Sequence, residues 1–221
     1  MGAWFMVIPA DIAIEEVHHA QTRRVAEVHA LLQEALGLGC VEDKTSFGAT
    51  VSLETDNAVV PKIVCCSYRG HVIGAVVGAY LLNVRAGMIM YSGVKGSFRG
   101  RGIYAASRAR LTALLSQQAR QHMAEMRYVI SELDENSRLF AAYVGRWGAF
   151  VAPCEYEQPA AQGLVRKKLK LVLQPYANPD PPSNREIAGL VREIYERVYR
   201  LTDVPQRADF VRVVESLNVL A

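Results

Sequence analysis

Two arginines alternate with two glycines in Arg99-Gly100-Arg101-Gly102, and an alanine-rich run from Ile103 to Ser107 follows at once. Glycine leaves backbone amides uncovered and tolerates positive φ, and the first turn of a helix presents N–H groups that have no intrahelical acceptor. A glycine loop that opens a helix therefore suits an anion such as a phosphate, to which a flanking arginine adds charge-assisted contacts. Other reactive side chains are sparse. His18, His19, His29, His71 and His122 are scattered and propose no metal site. Cys40, Cys65, Cys66 and Cys154 have neither metal-ligand spacing nor the density of a disulfide scaffold, so they read as reduced thiols, which implies a cytoplasmic address. Cys65 and Cys66 must face opposite sides of a strand and read as small core and surface residues.

The elements around the loop decide what it can hold. Between Ile14 and Leu36 the apolar residues Val17, Val25, Val28, Leu32 and Leu36 recur at helical spacing and end at Gly37 and Gly39, which predicts a surface helix. Residues 40–57 are polar and glycine-punctuated, a loop with at most one short helix or strand. The run from Pro61 to Val94 holds three β-rich stretches joined at residues 68–71 and 83–87, the pattern of an antiparallel meander. After Gly102 the period changes, with Leu111, Leu114 and Leu115 on one face of a helix of about six turns. Arg127 to Leu133 reads as a short buried strand, and Asn136 to Trp147 as a second helix capped by Asn136 or Ser137. Residues 148–158 and 164–174 read as two closing strands, the latter alternating with period two. The expected class is α+β: a mixed, mostly antiparallel central sheet flanked by helices.

Pro175 to Asn184 holds four prolines and breaks either kind of element. Residues 1–175 are thus expected to form the main domain, 176–183 a proline-rich linker, and 184–221 a helical C-terminal extension. Ile187, Leu190, Val191, Ile194 and Val198 give that extension an apolar stripe that must pack on the main domain or on a partner subunit, so a homodimer is one expected arrangement.

Two phosphate loops are excluded by their own chemistry. No Gly-Lys-Ser/Thr closes the run, as a P-loop requires, and a dinucleotide fingerprint wants three spaced glycines after a parallel strand. Arg99-Gly100-Arg101-Gly102-Ile103-Tyr104 resembles instead the Gln/Arg-x-x-Gly-x-Gly/Ala loop of the GNAT acyl-CoA N-acyltransferases, matching at Arg99 and Gly102 and departing at Tyr104, where the family has a small residue. Asn136 to Tyr143, followed by Trp147-Gly148-Ala149-Phe150, resembles the family segment Asn-x-x-Ala-x-x-x-Tyr-x-x-x-Gly-Phe. Asn136 and Tyr143 keep the family spacing, and Gly148 comes one residue late, which predicts a longer helix end or a bulge.

The resemblance implies a GNAT-like fold over roughly residues 14–174 and an acetyl-CoA or other acyl-CoA co-substrate. Its pyrophosphate would lie on the amides of residues 99–104, with Arg99 and Arg101 pairing phosphates. Gly93 and Val94 would pair the pantetheine amides where two parallel strands splay, although Gly93 could instead mark a bulge, and Asn136 would contact the pantetheine arm. Tyr143 matches the general-acid tyrosine that protonates the departing thiolate. The family often places a glutamate base on the fourth strand, but residues 87–94 contain no carboxylate, so Glu132 on the next strand and Glu54 in the early loop are the candidates. Tyr104 either points away from the loop or crowds the pyrophosphate. The acceptor would be a small-molecule or peptide amine; acyl transfer from a carrier protein and a non-catalytic binding module are the alternatives.

Composition bounds the rest. The 221 residues are 51% hydrophobic and 21% charged, ordinary for a folded domain, and the formal net charge of +3 is too weak to argue for nucleic acid. Val165-Arg-Lys-Lys-Leu-Lys170 reads as one charged strand face. No run approaches the roughly 20 apolar residues of a membrane span, and the apolar N-terminal stretch, broken by Pro9 and Asp11, reads as a strand rather than a signal peptide.

Overall fold

A computed structural model describes residues 11–18, 20–37, 39–51, 59–161, 164–176 and 180–219. Its centre is an antiparallel meander of β2 (Val59–Tyr68), β3 (His71–Leu81) and β4 (Ala86–Val94), with β1 (Ile12–Val17) on the outer edge of β2. Arg69 (φ 49°) and Gly70 (φ 81°) make the two-residue joint between β2 and β3, both in the left-handed region that matches strand twist. The predicted helix over 14–36 is shorter than its periodicity suggested. Ile12–Val17 pairs antiparallel with β2, and α1 (Thr22–Leu36) begins only after it; Val17, counted in the helical stripe, is a strand residue. The polar stretch that follows contains α2 (Lys44–Val51).

After β4, a short 3₁₀ turn (Gly96–Phe98) leads through the glycine loop to α3 (Ile103–Gln121), which returns the chain to β5 (Tyr128–Leu133), parallel to β4. α4 (Arg138–Gly145) follows, capped by Ser137, whose Oγ accepts from the Phe140 N–H at 3.0 Å; Asn136 is not the cap. The late Gly148 is absorbed as predicted. A wide turn brings the Trp147 N–H to the Ala142 carbonyl at 3.1 Å, and Gly148 (φ 62°) closes the end.

The two closing strands are more fragmented than their pattern implied. β6 is only Phe150–Val151, and the alternating run over 164–174 divides. β7 (Glu157–Gln158) and β8 (Lys167–Lys168) form a separate ribbon, while β9 (Lys170–Pro175) enters the main sheet between β5 and β6. Lys167 and Lys168 are both exposed, so no buried face holds them in the sheet. The seven-stranded order is β1-β2-β3-β4-β5-β9-β6, mixed and antiparallel except at β4/β5.

Both faces are covered, so β3 is buried along nearly its whole length. α3 and α4 lie on one face, over Val64, Val76, Tyr80, Ile89, Val129 and Val172. On the other, α1 and α2 cover Ile63, Cys65 and Val77, and the C-terminal helices cover Met88, Tyr128, Ile130 and Leu171. Cys65 and Cys66 do face opposite sides, but both are fully buried, so neither is a surface residue. The apolar stripe of the extension packs on this chain's own sheet. α5 (Asn184–Glu193) starts at a capping box between Ser183 and Glu186, and Arg127 at the foot of β5 pairs with Glu186 at 2.6 Å. A π-helical turn (Ile194–Val198) and α6 (Ala208–Ser216) complete the chain.

One irregularity shapes the site. In the β3/β4 ladder Val77 faces Tyr91 and Gly78 faces Ile89, so Met90 is an extra residue, a bulge. The β4/β5 ladder runs only from Ala86↔Tyr128 to Ile89↔Ser131 and stops at that bulge, leaving the end of β4 splayed from β5. Gly78 permits the crossing, because a Cβ there would sit far inside contact distance of the Met88 carbonyl oxygen. Gly78→Ala is expected to cost about 1–3 kcal/mol, as overpacking does, read as a lower urea midpoint.

Candidate functional site

The glycine loop has the conformation its composition suggested. Gly100 and Gly102 both have φ of 78°, and Gly102 is the N-cap of α3. The first helical bond at this end runs from the Ala106 N–H to the Gly102 carbonyl at 3.0 Å, so the amides of the preceding turn lie ahead of the hydrogen-bonded ladder. Arg99 is exposed and its Nε donates to the Val94 carbonyl at 3.2 Å; Arg101 is exposed with its guanidinium over the Phe98 ring. Ile103 is buried against Cys66 and Ile73 and anchors the loop to the sheet.

Tyr104 points away from the loop, into the protein. Its hydroxyl lies 2.9 Å from that of Tyr143, and its ring stacks on Trp147. Tyr143 is 0% exposed and receives hydrogen bonds from Arg108 Nε and from Ser131 Oγ, both at 3.0 Å. Those two donors occupy the lone pairs of the phenol oxygen, which leaves its proton aimed at Tyr104. Ser92 of β4 also hydrogen-bonds the Tyr104 hydroxyl. The series Ser92, Tyr104, Tyr143, Ser131 thus spans from β4 to β5 where the ladder has ended. Burial, with Tyr143 beside it, pushes the Tyr104 phenol well above its usual range, so it holds its proton.

Gly93 and Val94 lie on the splayed end of β4. Gly93 marks no bulge: a Cβ there would meet Ala35 Cβ at 2.8 Å, so its role in the fold is the close approach of α1. Asn136 is exposed at the rim, where its side chain turns back to Asp134 Oδ1 at 3.4 Å.

Glu132 is on the opposite face of β5 from Ser131. Tyr156 and Tyr199 donate to its two oxygens, Tyr199 at 2.6 Å, and desolvation raises its carboxyl while these bonds oppose the rise. Burial and the adjacent carboxylate hold both phenols well above their usual range, so they remain donors. Tyr199→Phe removes one donor to the charged form, and the carboxyl is expected to rise further, moving the acid limb of a pH–rate profile to higher pH. Glu132 lines a cavity of about 260 Å³ with Glu42, Tyr91, Ser92, Leu139 and Tyr199. Ser92 borders this cavity and also bonds Tyr104, so the cavity on one face reaches the tyrosine pair of the other through the splay. Glu54 lies outside the described residues.

The site therefore gathers Tyr104 with Tyr143, sets Glu132 across the splay from them, and leaves Asn136 apart. Arg108, Glu42, Tyr156 and Tyr199 escaped the sequence reading. Arg108 had a signal, since it stands four residues after Tyr104 on one helix face. The other three come from separate elements and carry no local mark. Among the described residues no group of three His, Cys, Asp or Glu side chains could hold a metal ion, and no helix is long and apolar enough to cross a membrane.

No protein-family model matches the sequence, and no curated protein is recognisably similar to it. Solved structures are similar in fold. A protein of the GNAT family from Bacteroides thetaiotaomicron superposes with a TM-score of 0.64 at 11% identity, covering 86% of this chain and 99% of that one. A phosphinothricin acetyltransferase of the GNAT superfamily from Sinorhizobium meliloti, solved in complex with AcCoA, gives 0.53 at 14% identity over 78% of this chain and 94% of that one. A ribosomal-protein alanine N-acetyltransferase from Escherichia coli gives 0.53 at 12%, over 77% and 99%. The chain has the GNAT fold.

Proposed function

From that fold, we propose that the protein is an N-acyltransferase that moves an acyl group, most simply acetyl, from acyl-CoA to a primary amine of a small molecule or peptide by direct attack. The observation that carries this reading is the bulged, splayed end of β4. It lies between an anion-suited glycine loop with a buried tyrosine pair on one face and a carboxylate-lined cavity on the other. The amides of residues 100–104 suit a pyrophosphate, with Arg99 and Arg101 at the rim. Gly93 stays in the ladder with Ala75 of β3, so the Val94 N–H, on the side that β5 no longer pairs, is the amide free to bind the pantetheine or the oxyanion. Glu132 takes the proton of the attacking amine, and the Tyr143–Tyr104 pair supplies one to the leaving thiolate. In this arrangement Asn136 reaches the arm only by leaving Asp134.

The four thiols are free, which fits a cytoplasmic address. Acetyl-CoA-dependent release of free thiol on addition of a primary amine tests the assignment. Release above the hydrolytic background supports it, and none across a broad amine panel counts against it.

A further inference from the structure

Arg108 of α3 is half-buried, and among the described residues it bonds only neutral groups. Its Nε donates to the Tyr143 hydroxyl at 3.0 Å and an Nη donates to Gln174 Oε1, while its Cζ lies 5.0 Å and 4.9 Å from the ring centres of Tyr143 and Trp147. Gln174 is held in turn, with its Nε2 donating to the Trp147 carbonyl at 3.5 Å, so the guanidinium is fixed from β9 as well as from α4. A cation withdrawn from water is costly without a counter-charge, and buried arginines are as a rule paired. The groups that bond the tyrosine pair supply none: Ser92 comes from β4, Ser131 from β5, and Glu132 lies on the opposite face of the sheet. Burial raises the Tyr104 phenol most, and Arg108 works against that rise. The counter-charge that Arg108 lacks in the resting protein is one that proton donation would create beside it.

Resting on the acyl-transfer reading, we propose that Arg108 is a positioning residue for the acid: it holds the Tyr143 oxygen as an acceptor and is the counter-ion of the phenolate left when the tyrosine pair gives up a proton. As the amine nitrogen bonds to the thioester carbonyl carbon and the C–S bond breaks, the sulfur takes the Tyr104 proton. Tyr104 takes the proton of Tyr143, and the Tyr143 phenolate remains against the Arg108 Nε–H. Solvent returns a proton to the pair once the thiol has left, and the proton of the amine departs through Glu132.

The test joins thiol-release kinetics with a measurement that needs no acetyl-CoA. Arg108→Gln is expected to lower kcat on the order of 10- to 100-fold, the worth of a hydrogen bond to a charged group, with the KM for acetyl-CoA unchanged. Because Arg108 acts through the phenol, adding Arg108→Gln to Tyr143→Phe should cost nothing more. Arg108→Lys keeps the charge and should stay within a few-fold of wild type. With difluorotyrosine in place of Tyr104, fluorine NMR should show that phenol ionising at higher pH in Arg108→Gln than in the otherwise unchanged protein. An unchanged kcat in Arg108→Gln, a further loss in the double variant or an unmoved fluorine titration overturns the proposal while thiol release by wild type keeps the transferase reading. A folded Arg108→Lys that has lost its rate overturns it too, so a poorly folding Arg108→Gln does not protect the idea. A fluorine titration that moves as expected in a protein that releases no thiol contradicts the transferase reading and keeps the coupling of Arg108 to the pair.

Discussion

Glu132→Gln is expected to lower kcat/KM for acyl transfer by about 10²–10⁴-fold, the usual worth of a positioned base, while acetyl-CoA affinity stays unchanged. The pH dependence carries a sign. Glu132 is raised by desolvation, and a base works only when deprotonated, so the rate falls as pH drops through a value above the ordinary 4.5 of a glutamate. That acid limb disappears in Glu132→Gln. Chemical change without a change in co-substrate binding follows from the geometry, because Glu132 lies on the face of β5 opposite Ser131 and the tyrosine pair. A purely structural Glu132 would give the opposite pattern: a lower unfolding midpoint with the rate of the folded fraction intact.

Tyr143→Phe is expected to cost about 10²-fold in kcat, and Tyr104→Phe to cost as much. The reason is the bonding order across the splay. With Arg108 and Ser131 donating to the Tyr143 oxygen, its proton leaves through Tyr104, so the two phenols act as one acid. Groups that act as a unit are not additive, and the double variant should be no slower than the worse single variant. Multiplicative losses would mean independent roles. An inert Tyr104→Phe with a damaged Tyr143→Phe would return the acid role to Tyr143 alone.

How far the sequence reached depends on how local each feature is. The meander, α3 and the glycine loop were legible because each is written in consecutive residues: β-branched runs, a change of period, and glycines at positive φ. The strand reading of the N-terminal stretch covered Ile12 to Ile14, but the rest of Ile12–Val17 was assigned to the helix because Val17 continued the helical spacing of α1 by chance, and strand identity there depends on pairing with β2, far along the chain. Lys167 and Leu169 to Gln174 alternate as one strand would, but only the second part has a buried face to hold it in the sheet. The candidate site shows the same division. Tyr143 and the loop stood out by spacing, and Glu132 by elimination. Tyr156 reaches Glu132 from the connection between β6 and β7, and Tyr199 because the C-terminal helices fold back on the sheet, aided by a π turn that bonds the Tyr199 N–H to the Ile194 carbonyl at 3.0 Å. Nothing in their own neighbourhood announces it. Tyr104 departs from the family loop, and only the structure gives it a partner.

The measurement that bears most directly on the central claim is calorimetric titration of acetyl-CoA into the wild-type protein and into Gly102→Trp, with the fold of the variant checked by circular dichroism. Gly102 holds φ at 78° as the cap of α3, so an indole there both strains the backbone and fills the nest. Saturable binding by wild type that vanishes in a folded Gly102→Trp is the result the account predicts. Wild type that does not bind acetyl-CoA would contradict it, and would turn attention to carrier-bound donors or to a GNAT fold kept as a binding module.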